Sequence, residues 1–94
     1  MGKSLIEIAK AVIQTEADSV LALKDRINNK FEEVCNTLKE CSGKVVLLGM
    51  GKSGHIAKKI SSTLASTGTP SFYLHPGEAG HGDLGMITHH DVVI

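Results

Sequence analysis

Lys44-Val45-Val46-Leu47-Leu48-Gly49-Met50-Gly51-Lys52-Ser53-Gly54-His55-Ile56-Ala57 is the stretch on which the fold turns. Val45 to Leu48 is a continuous apolar run, as expected of a parallel strand buried on both faces. Three glycines follow at once in the pattern G-x-G-x-x-G. Ile56, Ala57, Ile60 and Leu64 then recur at helical spacing, which predicts a helix opening in the glycine turn with those four residues inward. Gly68 and Pro70 mark its end. Ser71 to Leu74 reads as a second short strand. Residues 75–90 read as an irregular stretch rich in glycine and histidine, and Asp91-Val92-Val93-Ile94 as the start of a third strand. Strand, helix, strand, loop, strand is the opening of a doubly wound α/β sheet of the flavodoxin-like kind.

Upstream, Ser4-Leu5-Ile6-Glu7 has the form of a capping box, and Leu5, Ile8, Ala9, Val12, Ile13, Ala17, Val20 and Leu21 continue at helical spacing. One long helix to about Leu23 is expected. Asn29-Lys30-Phe31-Glu32 repeats the cap signal, Phe31, Val34, Cys35 and Leu38 form a second stripe, and Ser42-Gly43 closes that helix with a left-handed turn. Two N-terminal helices (1–43) thus precede the first half of a sheet domain (44–94). Neither helix carries a catalytic signature; they cover something or pair with another chain.

Composition narrows the partners. Ten basic residues balance ten acidic ones, so no overall field gathers nucleic acid or coats an anionic membrane. With only Phe31, Phe72 and Tyr73 as aromatics, base-stacking platforms are also missing. Any phosphate must be caught by a local site. No apolar run near the N-terminus has the length of a signal peptide or a membrane span. Cys35 and Cys41 fall on different faces of one helix, which suits two half-buried free thiols in a reducing compartment, the cytoplasm.

The glycine turn suits an anion, because small residues let the backbone approach and helix-start amides point at it. A dinucleotide reading also needs an acid about twenty positions on, where Leu74-His75-Pro76 stands instead. A Walker A reading needs a glycine at Val46. Lys52 is the informative residue. At the carboxyl end of a central strand it faces the crevice where open sheets bind ligands, and its ammonium suits a phosphate or a developing oxyanion. A solvated lysine at a helix start, where its charge is mildly unfavourable, is the bland alternative. Ser53 either donates its hydroxyl to a ligand or caps the helix. His55, one residue inside the helix, reads as structural.

In His75-Pro76-Gly77-Glu78-Ala79-Gly80-His81-Gly82-Asp83-Leu84-Gly85, polar chemistry is packed among four glycines. His75, Glu78 and His81 are spaced by three and would converge on a metal if the segment turned helically, which Gly77 and Gly80 oppose. His81, flanked through Gly82 by Asp83, is suited to moving protons in general acid–base chemistry, or else to fixing the loop by hydrogen bonds. His89-His90 read as a solvated turn.

These runs, together with Ala65-Ser66-Thr67-Gly68-Thr69-Pro70-Ser71-Phe72, resemble the arabinose-5-phosphate isomerase branch of the SIS (sugar isomerase) domain family from the first helix to Ile94. The resemblance implies a five-stranded parallel sheet between helices, a homotetramer, and in many members two CBS modules behind it. It implies interconversion of D-ribulose 5-phosphate and D-arabinose 5-phosphate, a phosphorylated pentose substrate, feeding Kdo and lipopolysaccharide synthesis. Lys52 matches the catalytic lysine, and His81 a substrate-contacting histidine. Gly68 and Thr69 match positions lining the substrate pocket, and Ser53 joins the binding set. No cofactor is required, while His75 matches a position that binds inhibitory zinc. The family's phosphate loop, glutamate base and a further histidine would lie beyond Ile94. The 94 residues are therefore expected to be a partial SIS domain that self-associates and does not turn over substrate alone. A non-catalytic module sensing a phosphosugar is the alternative within the same family.

Overall fold

A computed structural model describes residues 2–94. The chain divides into two compact units, Met1–Val34 and Cys35–Ile94.

The first unit is built on helix α1 (Leu5–Ala22). Ser4 Oγ accepts the Glu7 N–H at 3.1 Å and Glu7 Oε2 accepts the Ser4 N–H at 3.4 Å, so the capping box is formed. A 3-10 turn, Leu23–Arg26, extends it. Helix α2 (Asn29–Lys39) follows. Its cap falls one residue earlier than the sequence pattern suggests, because the Asn28 side chain accepts the Lys30 N–H at 2.9 Å. Helix α2 also stops at Lys39, short of Gly43. Gly43 is not in the left-handed region; a Cβ there would meet the His90 carbonyl oxygen at 2.7 Å. Cys35 is exposed rather than half-buried; Cys41 is partly buried.

The second unit holds a three-stranded parallel sheet in the order β2-β1-β3: β1 Val45–Leu48, β2 Ser71–Leu74 and β3 Val92–Val93. As the apolar run predicts, β1 is central, with Val45 opposite Ser71 and Leu48 opposite Leu74 on one side and Val45 opposite Val92 on the other. The ladder continues past β3, where Ile94 donates to the Val46 carbonyl and accepts from the Leu48 N–H, both at 2.8 Å. Val45, Val46 and Leu47 are at most 2% exposed. Burying side chains of this size stabilises by about 1.5–3 kcal/mol each.

The two faces of β1 are covered differently. Val45 and Leu47 pack with Ala57 of helix α3 (Gly51–Ser66), joined by Leu38, Cys41, Leu64 and Tyr73. Val46 packs with Leu74 and Ala79, joined by Leu48, Phe72 and Ile87. Two expectations are corrected here. The inward residues of α3 are Gly54, Ala57 and Ser61, with Leu64 partly buried, whereas Ile56 is 59% and Ile60 42% exposed. Small residues bring the helix close to the sheet, and that close approach sets which stripe turns inward. Residues 75–90 are not wholly irregular either. They contain helix α4 (Pro76–Ala79) and a 3-10 turn (Asp83–Met86), and Ala79 and Ile87 supply core to the second face.

Asp91 ties the amino edge of the sheet together. Its side chain is fully enclosed and accepts the Lys44 N–H at 2.7 Å and the Thr88 N–H at 2.8 Å, with the Lys44 ammonium 3.9 Å away. These two amides, the Lys44 bond first, hold its carboxyl below the usual carboxylate range; burial opposes them, and the Lys44 charge adds a smaller lowering effect. A depressed carboxylate pKa stabilises the fold above the ordinary aspartate value, and that contribution is lost as pH falls through the folded value. Asp91→Asn places an NH2 donor or a neutral oxygen where two amides now meet a carboxylate. Chemical denaturation at a series of pH values should therefore show wild type more stable than Asp91→Asn at pH 7. The gap should narrow below about pH 4. A gap independent of pH would show that the carboxylate charge contributes nothing.

Candidate functional site

In a parallel sheet all strands leave by the same edge. Because Leu48 pairs with Leu74, the Gly49–Ser53 turn after β1 and His75 after β2 emerge side by side at the carboxyl edge. Open α/β sheets bind their ligands there.

The turn is held from below. Tyr73, in β2, donates its hydroxyl to the Gly49 carbonyl, and its ring lies 5.1 Å from the Lys58 ammonium. Gly54 packs against the same two groups; a Cβ there would lie 2.7 Å from the Gly49 oxygen and 2.8 Å from the Tyr73 hydroxyl. The third glycine of the motif is therefore needed for close approach of α3 to the strand end. Nothing in the sequence pattern marked Tyr73 as a turn-holding residue. Only the register, which sets Tyr73 opposite Leu47 two residues short of Gly49, brings its hydroxyl there.

Above that support, Gly51 has φ +59° and opens α3, whose cap residue, Met50, makes no side-chain cap bond. The first-turn amides are therefore left for solvent or an anion. Lys52 and Ser53 sit in this first turn and are exposed. Ser53 is not the cap, and its hydroxyl has no hydrogen-bond partner among the described residues. His55, one turn position further, is exposed. One helix start carrying a cation and a hydroxyl can hold a phosphate or steady negative charge on a sugar oxygen.

His75 is the cap of α4. Its backbone is extended (φ −73°, ψ 126°), as a residue before proline prefers, and its Nδ1 accepts the Gly77 N–H at 2.9 Å. Pro76 at the first helical position needs no amide partner. His81 lies just past α4, exposed, with its N–H donating to the Glu78 carbonyl at 2.9 Å, and Gly82 beyond it has φ +115°. His81 follows by two residues Ala79, which is anchored in the core of the second sheet face. Among the described residues no three histidine, cysteine, aspartate or glutamate side chains gather as a metal site.

Gly68 and Thr69 stand elsewhere. Helix α3 runs back across the sheet and ends in Gly68 at φ +99°, a left-handed position that glycine takes without strain. Thr69 donates to the Leu64 carbonyl at 2.8 Å, the long bond that closes such helix ends. Pro70 next to it accepts the Val45 N–H at 2.9 Å, at the start of β1. Within one chain the sheet separates Thr69 from Gly49 by about six residues of strand rise, roughly 20 Å. Lys52, Ser53 and His75 are thus brought to one edge, and Gly68 and Thr69 to the other. His89 and His90 are at the amino edge too, exposed, their rings 3.8 Å apart; the His90 carbonyl accepts the Gly43 N–H at 2.9 Å.

Residues 38–94 match the SIS domain family model. The chain is 52% identical, over 99% of its length, to a Yersinia pestis protein named arabinose 5-phosphate isomerase KdsD. It is 53% identical over 94% of its length to the protein of that name from Escherichia coli strain K12. It covers 28% and 27% of these relatives, just over a quarter of their length. Among solved structures, the c3406 protein of E. coli CFT073, in complex with arabinose 5-phosphate, superposes with a TM-score of 0.87 at 46% identity. That match covers 99% of this chain and half of the solved one.

Proposed function

Since this chain belongs to the SIS domain family, we propose that the full-length protein is an aldose–ketose isomerase that interconverts D-ribulose 5-phosphate and D-arabinose 5-phosphate. The observation that carries this reading is the uncapped start of α3, with Lys52 and Ser53 exposed in its first turn beside His75 at the carboxyl edge. The names of the relatives supply the sugar.

Isomerisation removes the proton beside the carbonyl, passes through an enediolate and returns a proton to the neighbouring carbon. Electrons are only redistributed within the sugar, so no redox carrier is called for. In this reading Lys52 stabilises the enediolate oxygens, and Ser53 with the first-turn amides of α3 holds an anionic oxygen. His81 carries part of the proton traffic. Gly68 and Thr69, being at the amino edge, are left out of the site that a single chain builds. The proton-abstracting base is not assigned to any of these 94 residues.

The finer context is proposed on the same footing: a homotetramer in the cytoplasm, serving lipopolysaccharide synthesis. Among the described residues no helix is long and apolar enough to cross a membrane. Self-association is favoured by Leu5, Ile6, Ile13 and Val20, each at least 65% exposed on α1. Zinc at His75 is a poorer fit. Nδ1 is already accepting the Gly77 N–H, and no second and third ligand are gathered near it among the described residues.

The test is to supply the full-length protein with ribulose 5-phosphate and follow appearance of the aldose. Turnover is expected. Saturable binding of the sugar phosphate without turnover would replace the isomerase by a phosphosugar sensor.

A further inference from the structure

The hydrogen bond at His75 decides more than the start of a short helix. A backbone N–H can only donate, so the Gly77 amide at 2.9 Å requires a lone pair on Nδ1. The neutral imidazole must then carry its proton on Nε2. A metal ion needs a lone pair as well, and both ways of supplying one disturb the cap. Ligation through Nδ1 displaces the Gly77 N–H. Ligation through Nε2 first moves the proton to Nδ1, where it confronts that N–H. Glycine at 77 is what permits this approach, since a Cβ there would lie 3.0 Å from the His75 Nδ1 and Cε1 atoms.

We propose that His75 is a helix cap locked in the Nε2–H tautomer, so that it offers a proton donor to its surroundings. Zinc capture at this residue is then a competing event that opens the cap, not the filling of a formed site. The helix that would be released, Pro76–Ala79, carries Ala79 of the second-face core, so metal at His75 acts on the packing of the whole 75–90 segment. This inference stands apart from the isomerase reading and is tested without an activity measurement.

The test is nitrogen NMR of the full-length protein with labelled histidine, freed of metal by a chelator, with the His75 signal identified by its loss in His75→Asn. The Nε2–H tautomer is expected. Asparagine is among the best helix caps, so His75→Asn should leave hydrogen exchange at the Gly77 amide within about twofold of wild type. His75→Ala should speed it by about fivefold. Added zinc that reaches His75 should move the Gly77 amide signal toward its position in His75→Ala; zinc that fails to reach His75 shows the cap prevailing. An Nδ1–H tautomer in the metal-free protein would overturn the proposal. So would zinc bound at His75 with the Gly77 amide unmoved, or equal exchange in the Asn and Ala variants.

Discussion

Lys52→Ala in the full-length protein is expected to lower isomerase turnover by about 10²–10³ while leaving the fold intact. Removing one preorganised partner of a developing oxyanion typically has an effect of this size. The fold should survive because Lys52 is exposed in the first turn of α3, where its ammonium makes no ion pair among the described residues. Circular dichroism and a denaturation curve check that half of the claim. Kinetics check the other: a fall in kcat with KM little changed means the ammonium acts in the transition state, while a rise in KM alone means it only binds phosphate. Lys52→Arg should recover a fraction of the lost rate, because the charge returns but its planar, larger head does not occupy the ammonium's place. Turnover of Lys52→Ala within about threefold of wild type would remove Lys52 from the mechanism.

Gly54→Ala is expected to cost both stability and activity. The added methyl meets the Gly49 carbonyl oxygen at 2.7 Å and the Tyr73 hydroxyl at 2.8 Å. Neither can withdraw freely, one being backbone at the end of β1 and the other its hydrogen-bond donor. Forcing a methyl into such a contact costs about 1–3 kcal/mol. The same displacement tilts the turn that carries Lys52 and Ser53, so turnover should fall with stability. Gly85→Ala is the control. Nothing lies within 4 Å of its would-be methyl, and its φ is not positive, so stability should stay within about 0.5 kcal/mol. Equal denaturation midpoints for Gly54→Ala and wild type would mean that α3 is free to move away from the sheet.

Local signals carried much of the architecture. A four-residue apolar run bounded by a charge and a glycine has few fates besides a central parallel strand, and β1 is one. The capping box at Ser4 is a contact between residues three apart, so the chain determines it without help from distant segments. The placement of Lys52 in a glycine turn after that strand follows from the same nearest neighbours. For these features the interacting atoms are close in sequence, and the pattern alone was enough.

Tertiary contacts decided the rest. Ile56 and Ile60 were the obvious inward stripe of α3 by hydropathy, yet Gly54, Ala57 and Ser61 face the sheet. Distance between helix and sheet, not hydropathy, selected the side, and that distance is set by Tyr73 and Gly49 from other elements. Ala79 and Ile87 read as parts of a polar loop, but they cover Val46. Gly68 and Thr69 follow Lys52 by only sixteen and seventeen residues, and a helix that returns across the sheet carries them to its opposite edge. Sequence by itself singled out the candidate residues and determined the local turns that present them. Which of those residues share an edge was decided only when β1 and β2 paired in parallel, because strand direction is a property of two segments and not of either one.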